Sequence, residues 1–231
     1  MLARVTGFEN RRDAPVALLG HSGASRSTVP TRAGSLALEI VAGLNDWKIN
    51  TMTMPPKIAS VASTKYDEHP DSSSRELFVE AAIDAFAETD LGPSDLDAVY
   101  VGNFMGDLIE DQGHMGALLA DHVGAREAAS IRIESACASG GATFRQAVHA
   151  VESGAADAVL AGGVEQMSIA NIEHVTDALA NAADDVYENE QGLTFPGIYA
   201  LMARRYMHEF GARKEDLAAV SVKNRNNAVE N

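Results

Sequence analysis

The run of small residues from Ser135 to Gly141 contains the single cysteine of the chain, Cys137. An apolar segment, Ser130 to Ile133, precedes it and predicts a strand, and a helical pattern follows from about Ser139. A sharp strand-to-helix turn needs small neighbours and presents its central side chain at the start of the helix. The N–H groups and positive dipole end of such a helix stabilise negative charge on an attacking sulfur or an oxyanion. Cys137 is therefore predicted to be a nucleophile.

Other interpretations of these residues stay open. A lone cysteine is more often an inert buried side chain than a nucleophile. Ser135 and Ser139 are nucleophiles by type, but a hydroxyl needs an adjacent general base and the sequence shows none beside them, so we interpret both as turn and cap residues. The seven histidines have no zinc-like spacing and no second cysteine supports a metal site, so none is predicted. Nucleotide cofactors have no motif either.

The elements that position Cys137 follow an alternating pattern from residue 58 onwards. Strands are predicted at 58–62, 98–101, 130–133 and 158–161, and helices at 73–92, 115–122, 139–154, 197–210 and 214–229. Ser73 and Glu76 form a capping box at the first helix. The predicted buried stripes of the first and third helices are Val79, Ala82, Ile83 and Phe86, and Phe144, Ala147, Val148 and Val151. Such alternation predicts an α/β fold with a mostly parallel sheet.

Charge and composition divide the chain near Met54. Residues 1–53 carry 6 basic and 4 acidic residues, whereas 54–231 carry 12 and 29. We interpret 1–53 as an extension outside the fold, disordered or not native, and 54–231 as the folded domain. Within it, 164–210 is an inserted region whose polar part, 164–195, predicts loop rather than another layer. The chain stops after two helices without a further strand, which predicts truncation at the carboxy terminus.

Composition excludes several classes of function. The chain has 231 residues, 46% of them hydrophobic and 22% charged, as in soluble globular proteins, and no apolar run of roughly 18 residues that could span a membrane. A net charge of −15 disfavours nucleic acid and anionic lipid as partners. Only 5 of the 18 basic residues are Lys, and an acidic, lysine-poor surface is typical of a halophilic protein. One cysteine fits the cytoplasm.

Two stretches around Cys137 make the prediction specific. The run ESACASGGATF from Glu134 and the run AADAVLAGGVEQMS ending at Ser168 resemble the thiolase family, and the similarity covers most of 58–231 and no part of 1–53. The ending Glu165 to Ser168 and the segment GLTFPGIYALMARRYMHEFGA are closer to archaeal acetyl-CoA acetyltransferases and sterol-carrier-type thiolases than to bacterial degradative ones. The resemblance implies a thiolase-like mixed sheet with layered helices, of which this chain holds one βαβαβαβ half and the inserted region.

That resemblance implies acyl-CoA chemistry. The matching cysteine attacks an acyl-CoA, expels CoA and holds the acyl group, which a deprotonated second acetyl-CoA then attacks. Cys137 would be this nucleophile, forming or cleaving acetoacetyl-CoA or another 3-ketoacyl-CoA, with CoA thioesters as substrates and no cofactor. The activating histidine and the acid/base belong to the family's carboxy-terminal half, so no base is named here and this chain alone is predicted to be inactive.

Weaker site predictions concern Met167 and Phe195. By resemblance Met167 lines the acyl pocket and Phe195 borders the pantetheine channel of CoA, although a gap-filling Met and a plain helix start at Phe195 account for them equally. Gly162 and Gly163 either form a strand-end turn or let the active-site helix approach closely. The implied partners are a second copy, as dimer or tetramer, and a 3-hydroxy-3-methylglutaryl-CoA synthase of the mevalonate pathway.

Two rival functions remain. A β-ketoacyl synthase-like condensing enzyme shares the fold and a cysteine elbow, but the run from Gly162 to Ser168 favours a thiolase. A noncatalytic thiolase-like subunit would keep Cys137 and supply only an interface.

Overall fold

The computed structural model describes the backbone of 2–4 and residues 55–229, which belong to one compact unit. Its strands are β1 Leu2–Arg4, β2 Lys57–Ser60, β3 Ala98–Gly102, β4 Ala129–Ile133 and β5 Ala158–Gly163. Its helices are α1 Ser74–Ala87, α2 Gly106–Ile109, α3 Met115–Val123, α4 Ser139–Glu152, α5 Ile172–Ala180, α6 Phe195–Phe210 and α7 Lys214–Ala228. Short 3₁₀ turns cover Pro93–Asp95 and Ala136–Ala138, and a π-helical turn covers Asp185–Asn189.

The five strands form one mixed sheet in the order β2-β1-β5-β3-β4. Strands β5, β3 and β4 are parallel, and β1 is antiparallel to both β2 and β5. In this register Gly102 lies beside Ile133 on one neighbour and beside Gly163 on the other, so the three parallel strands end level. We call this end of the sheet the carboxyl edge. The loops that leave it meet there, which is where open α/β sheets bind their ligands.

Helices cover both faces of the parallel part of the sheet. On one face, α1 and α3 pack through Phe78 and Leu119 against Val99 and Val101, and all four side chains are buried. On the other face, α4 contributes mainly small residues, among them Ala147, to a second cluster with β3 and β5. Small side chains let a helix approach a sheet closely. The α/β class with layered helices is therefore confirmed.

Local signals in the sequence placed most elements correctly. The strands and helices expected at 98–101, 115–122 and 158–161 are present with ends shifted by no more than two residues. The capping box is confirmed: Glu76 N–H donates to Ser73 Oγ at 3.4 Å, and Ser73 N–H donates to Glu76 Oε2 at 2.7 Å. Helix α1 ends at Ala87, five residues before the expected end.

Both predicted buried stripes were partly wrong. In α1 the buried apolar side chains are Leu77, Phe78, Ala82 and Ala85, whereas Ile83 is 60% exposed and lines a shallow groove against α3. In α4, Phe144 is 36% exposed and Thr143 is buried in its place. In α4 the buried residues are mostly small, which lets this helix lie close to the sheet, whereas in α1 the buried face is the one that contains Leu77 and Phe78.

Two segment predictions also need correction. Residues 172–180, expected to be loop, form helix α5. The preceding Asn171 is its N-cap, and Asn171 Oδ1 accepts the N–H of His174 at 2.8 Å. The buried residues of α5 are Val175, Ala178 and Ala180, so an amphipathic helical pattern was present in the sequence and the polar composition of 164–195 outweighed it. Leu2–Arg4, expected outside the fold, forms β1 and pairs with the otherwise open side of β5. The rest of the predicted extension, residue 1 and residues 5–53, lies outside the described residues, and its disorder stays a prediction.

Each of the four longest helices among the described residues, α1, α4, α6 and α7, carries charged side chains. None among the described residues is both long and apolar enough to cross a membrane.

Candidate functional site

Cys137 is exposed and lies in the 3₁₀ turn that joins β4 to α4. The preceding residue, Ala136, has φ of +46°, in the left-handed region that costs a residue with a Cβ about 1 to 2 kcal/mol. The Glu134 carboxylate accepts the N–H of Ala136 at 2.5 Å and so holds this conformation. The turn is thus a strained elbow that presents Cys137 outward at the carboxyl edge.

Ser139 fastens the elbow from beneath. Its hydroxyl donates to the C=O of Ala136 at 2.7 Å and accepts the N–H of Ser135 at 2.9 Å, and the residue is buried. A hydroxyl engaged in this way and shielded from solvent is a structural part of the turn. The interpretation of Ser139 as a turn residue therefore agrees with its contacts.

The start of α4 is open. Within 2–4 and 55–229 no side chain caps this helix end, and its first turn carries no acidic residue. A Cβ built on Gly140 or Gly141 would meet no atom within 4 Å among the described residues. The positive end of the helix dipole and the Cys137 sulfur are therefore accessible together, an arrangement suited to stabilise an oxyanion formed on a carbonyl that the sulfur attacks.

A glycine on β3 lets α4 reach this position. A Cβ on Gly102 would lie 2.9 Å from Thr143 Oγ1 and 3.0 Å from the backbone oxygen of Ser139. The sequence suggested this close approach for Gly162 and Gly163, but that alternative is wrong. A Cβ on Gly162 would meet the Phe78 ring at 2.8 Å, on α1, and one on Gly163 would meet the Gly102 carbonyl oxygen at 3.3 Å.

Met167 and Phe195, the two weaker site predictions, lie in different parts of the structure. Met167, which is half-buried, follows β5 and so leaves the same carboxyl edge as Cys137. It lines a cavity of about 590 Å³ shared with His69 and Phe78, and Cys137 is not part of that lining. Phe195 begins α6, its ring centroid 6.2 Å from that of Tyr199, and α6 packs on α5. No described contact joins Phe195 to Cys137.

A carboxylate that the sequence did not single out joins two strand ends. Glu165 follows β5, and its oxygens accept the N–H of Phe104 at 2.8 Å, the N–H of Met105 at 2.9 Å and the Nδ2–H of Asn103 at 2.9 Å. Burial raises the pKa of Glu165 above its ordinary value, while the two backbone N–H groups oppose that shift. Glu165 therefore fixes the turn that follows β3.

An arginine on β4 holds the same turn from its other side. The Arg132 guanidinium donates to the C=O of Asn103 at 3.1 Å and of Phe104 at 2.6 Å. It also pairs with Asp107 at 2.8 Å, and its hydrogen bond lowers the pKa of that carboxyl. The positions of Asn103 and Glu165 just after parallel strands could have marked them in the sequence as residues of the carboxyl edge. Arg132 lies inside a strand, and nothing in the sequence marked it in this way.

Gln166 connects the segment after β5 to the loop before α1. Its amide donates to the C=O of His69 at 2.6 Å and of Ser72 at 2.5 Å, and it accepts from the hydroxyl of Ser168 at 2.9 Å. The run Glu165 to Ser168, which carried the family resemblance, is thus a set of tethers between loops. Among the described residues no group of three or more His, Cys, Asp or Glu side chains is placed to hold a metal ion.

Fold and site together define an α/β protein with an exposed cysteine in a strained turn at the carboxyl edge of a mixed sheet. The chain belongs to the thiolase family, since the family model of the thiolase N-terminal domain matches residues 58–231. It is 44% identical over 174 residues to an acetyl-CoA acetyltransferase of Methanothermobacter thermautotrophicus, covering 75% of this chain and 45% of the relative. A relative of the same name from Methanocaldococcus jannaschii is 42% identical, with 75% and 44% covered.

A solved structure supports the same fold. The Ltp2-ChsH2(DUF35) aldolase superposes with a TM-score of 0.52 at 27% identity, covering 68% of this chain and 39% of that chain. As for the two acetyl-CoA acetyltransferases, the chain spans 45% and 44% of their lengths, which is less than half of each. What those longer proteins do as a whole comes to this chain only as a proposal.

Proposed function

We propose that this chain supplies the nucleophile of a thiolase-type acyl-CoA acyltransferase, with Cys137 carrying the acyl group. The observation that carries the proposal is the exposed Cys137 in a strained elbow at the uncapped start of α4, in a chain of the thiolase family. The names of the two archaeal relatives support acetyl-CoA as the acyl donor.

In the proposed first half-reaction, the Cys137 sulfur attacks the carbonyl carbon of an acyl-CoA. A C–S bond forms, the carbonyl oxygen becomes an oxyanion, and N–H groups at the start of α4 stabilise it. Collapse of this intermediate breaks the bond to CoA, which leaves as a thiol with the proton that Cys137 gave up. The product is an acyl-Cys137 thioester.

In the second half-reaction, a base removes an α-proton from acetyl-CoA and the resulting carbanion attacks the acyl-Cys137 carbonyl. A C–C bond forms, the Cys137 sulfur leaves, and acetoacetyl-CoA or another 3-ketoacyl-CoA is released; the reverse direction is thiolytic cleavage by CoA. By family resemblance the base and the histidine that activates Cys137 belong to a carboxy-terminal half. Removing such groups lowers rates by roughly 100- to 10,000-fold each, so this chain alone is proposed to be inactive.

We also propose an oligomeric state, a pathway and a habitat for this protein. Strand β4 ends the sheet among the described residues, and Ile131 on it is 50% exposed, which favours association with a second copy as a dimer or tetramer. By family resemblance we also propose a cytoplasmic role in the mevalonate pathway, in association with a 3-hydroxy-3-methylglutaryl-CoA synthase. The net charge of −15 supports a high-salt habitat.

A second candidate is a subunit that assists C–C cleavage without carrying an acyl group. The similarity to the Ltp2-ChsH2(DUF35) aldolase favours it, because an aldol cleavage releases a carbonyl compound and needs no transfer of an acyl group to a thiol. Formation of acyl-Cys137 therefore discriminates between the two candidates.

The test follows acetoacetyl-CoA cleavage by CoA in two proteins: the chain as it stands and the same chain extended through any continuing reading frame. We expect activity in the extended protein only, a loss of at least about 1,000-fold in Cys137→Ala, and near-normal rates in the matched control Ser135→Ala. Cleavage that survives Cys137→Ala would refute the nucleophile, and full activity of the short chain would refute the need for a second half.

A further inference from the structure

The turn Asn103–Met105 is held on both of its hydrogen-bonding sides by charged side chains from the two neighbouring strands. Glu165, after β5, accepts the N–H groups of Phe104 and Met105 at 2.8 and 2.9 Å. Arg132, on β4, donates to the C=O groups of Asn103 and Phe104 at 3.1 and 2.6 Å. A backbone turn gripped at both its donors and its acceptors by ionised groups has few ways to shift, because charge-assisted hydrogen bonds are the stronger ones.

The same contacts connect this turn to the elbow. Arg132 lies on the strand that runs directly into the Cys137 turn, and the N–H of Asn103 donates to the C=O of Ile133 at 3.3 Å. On the other side, Glu165 lies two residues before Met167. The Asn103 amide also donates to the C=O of Val164 at 2.9 Å. The loops leaving three parallel strands are thereby joined across the carboxyl edge.

We propose that Glu165 and Arg132 are positioning residues of the acyl-transfer site, which fix the Cys137 elbow relative to the Asn103–Met105 turn and the segment that contains Met167. The inference rests on the proposed function for the site itself. Neither side chain needs to touch the acyl group. Their effect is to keep the cysteine and the loops around it in one arrangement, as a reaction between a thiol and a bound thioester requires.

The opposite edge of the sheet offers a matched control. The Asp97 carboxylate accepts the N–H of Asp157 at 2.7 Å and that of Ala158 at 3.0 Å, so it too ties neighbouring strands through two backbone donors. Asp97 precedes β3 whereas Asn103 follows it. Asp97→Asn should therefore weaken the sheet much as Glu165→Gln does, without acting on the carboxyl edge.

The experiment compares Glu165→Gln, Arg132→Met and Asp97→Asn in the extended protein, well below their unfolding temperatures. Two rates are measured for Cys137: acylation by acetyl-CoA and alkylation by iodoacetamide, a small reagent that needs no binding site. We expect Glu165→Gln and Arg132→Met to slow acylation roughly 10- to 100-fold while alkylation changes less than about twofold. Asp97→Asn should leave both rates near the wild-type values.

Amide hydrogen exchange supplies a readout that does not depend on acylation. We expect both carboxyl-edge variants to speed exchange at 103–105 and also at 134–138, and Asp97→Asn to speed it at 156–158 only.

Wild-type acylation rates in Glu165→Gln and Arg132→Met, or an equal loss in Asp97→Asn, would overturn the positioning role and leave the proposed function intact. Absence of acylation in the wild type would overturn the proposed function, and unchanged exchange at 134–138 would then overturn the positioning role as well. If Glu165→Gln does not fold, Glu165→Asp retains the charge at a shorter reach and is measured in the same way.

Discussion

Replacing Gly102 by Ala tests how the helix that follows Cys137 is seated on the sheet. The added methyl group would lie 2.9 Å from Thr143 Oγ1 and 3.0 Å from the Ser139 carbonyl oxygen, with the Ser139 carbonyl carbon at 3.1 Å. Two of these three atoms are backbone, so a change of side-chain rotamer cannot relieve the overlap. The start of α4 must move away from β3.

The cost follows from general values for overpacked interiors. Inserting a methyl group into a filled site costs about 1 to 3 kcal/mol, which for a chain of this size lowers the midpoint of thermal unfolding by roughly 2 to 12 °C. Gly140→Ala is the matched control, because a Cβ there meets no described atom within 4 Å and alanine favours a helix by about 0.5 to 1 kcal/mol over glycine.

The assay is thermal unfolding followed by circular dichroism, with Cys137 alkylation measured on the same samples. We expect Gly102→Ala to unfold earlier than the wild type and Gly140→Ala to unfold at the same temperature or later. Equal midpoints for Gly102→Ala and the wild type would refute the close seating of α4. A similar loss in both variants would show that the region tolerates no added methyl, whatever the local space.

Three further outcomes are expected. Thr143→Val should leave the free energy of unfolding unchanged or raise it by about 1 kcal/mol, because the buried Thr143 hydroxyl has no hydrogen-bond partner among the described residues; a clear loss in urea unfolding would contradict this. The hydrogen bond from Arg132 lowers the pKa of Asp107 below its ordinary value of 3.8, so this pair stabilises the fold above that pH and the stabilisation is lost as the pH falls through the lowered pKa. Asp107→Asn should reduce the loss of unfolding free energy on acidification by on the order of 0.5 kcal/mol, and an unchanged loss would count against the pair. Unfolding midpoints should rise in molar KCl, since salt screens the net charge of −15, and equal midpoints would remove the high-salt inference.

The sequence predicted those elements whose signals are local. The capping residues Ser73 and Glu76, the β-branched and small residues of β3 and β5, and the small-residue turn around Cys137 all act over a few neighbouring positions. These signals located the elbow and the parallel core. Helix α5 also has local signals, the cap Asn171 and one buried apolar face, but the polar composition of 164–195 as a whole led to the prediction of a loop there.

What the sequence could not predict depends on contacts between distant segments. In α4 the smaller Thr143 is buried rather than Phe144, and in α1 the buried face contains Phe78 rather than Ile83. Both outcomes depend on how each helix lies on the sheet. From the sequence alone Glu165 is indistinguishable from an exposed surface carboxylate. Its structural role is evident only from the N–H groups of Phe104 and Met105 that donate to it. The role of a glycine likewise depends on distant contacts. Gly102 faces α4 and Gly162 faces Phe78 on α1, and the sequence alone does not show which glycine faces which helix.

The central claim is that Cys137 carries the acyl group. The most direct measurement is peptide mass spectrometry of the extended protein, quenched with acid shortly after mixing with acetyl-CoA in the absence of a second substrate. We expect the added mass of one acetyl group on the peptide that contains Cys137. This mass should be removable by free CoA and absent in Cys137→Ala. An acetyl group on another residue, or cleavage of acetoacetyl-CoA by a protein that never shows an adduct at Cys137, would contradict it.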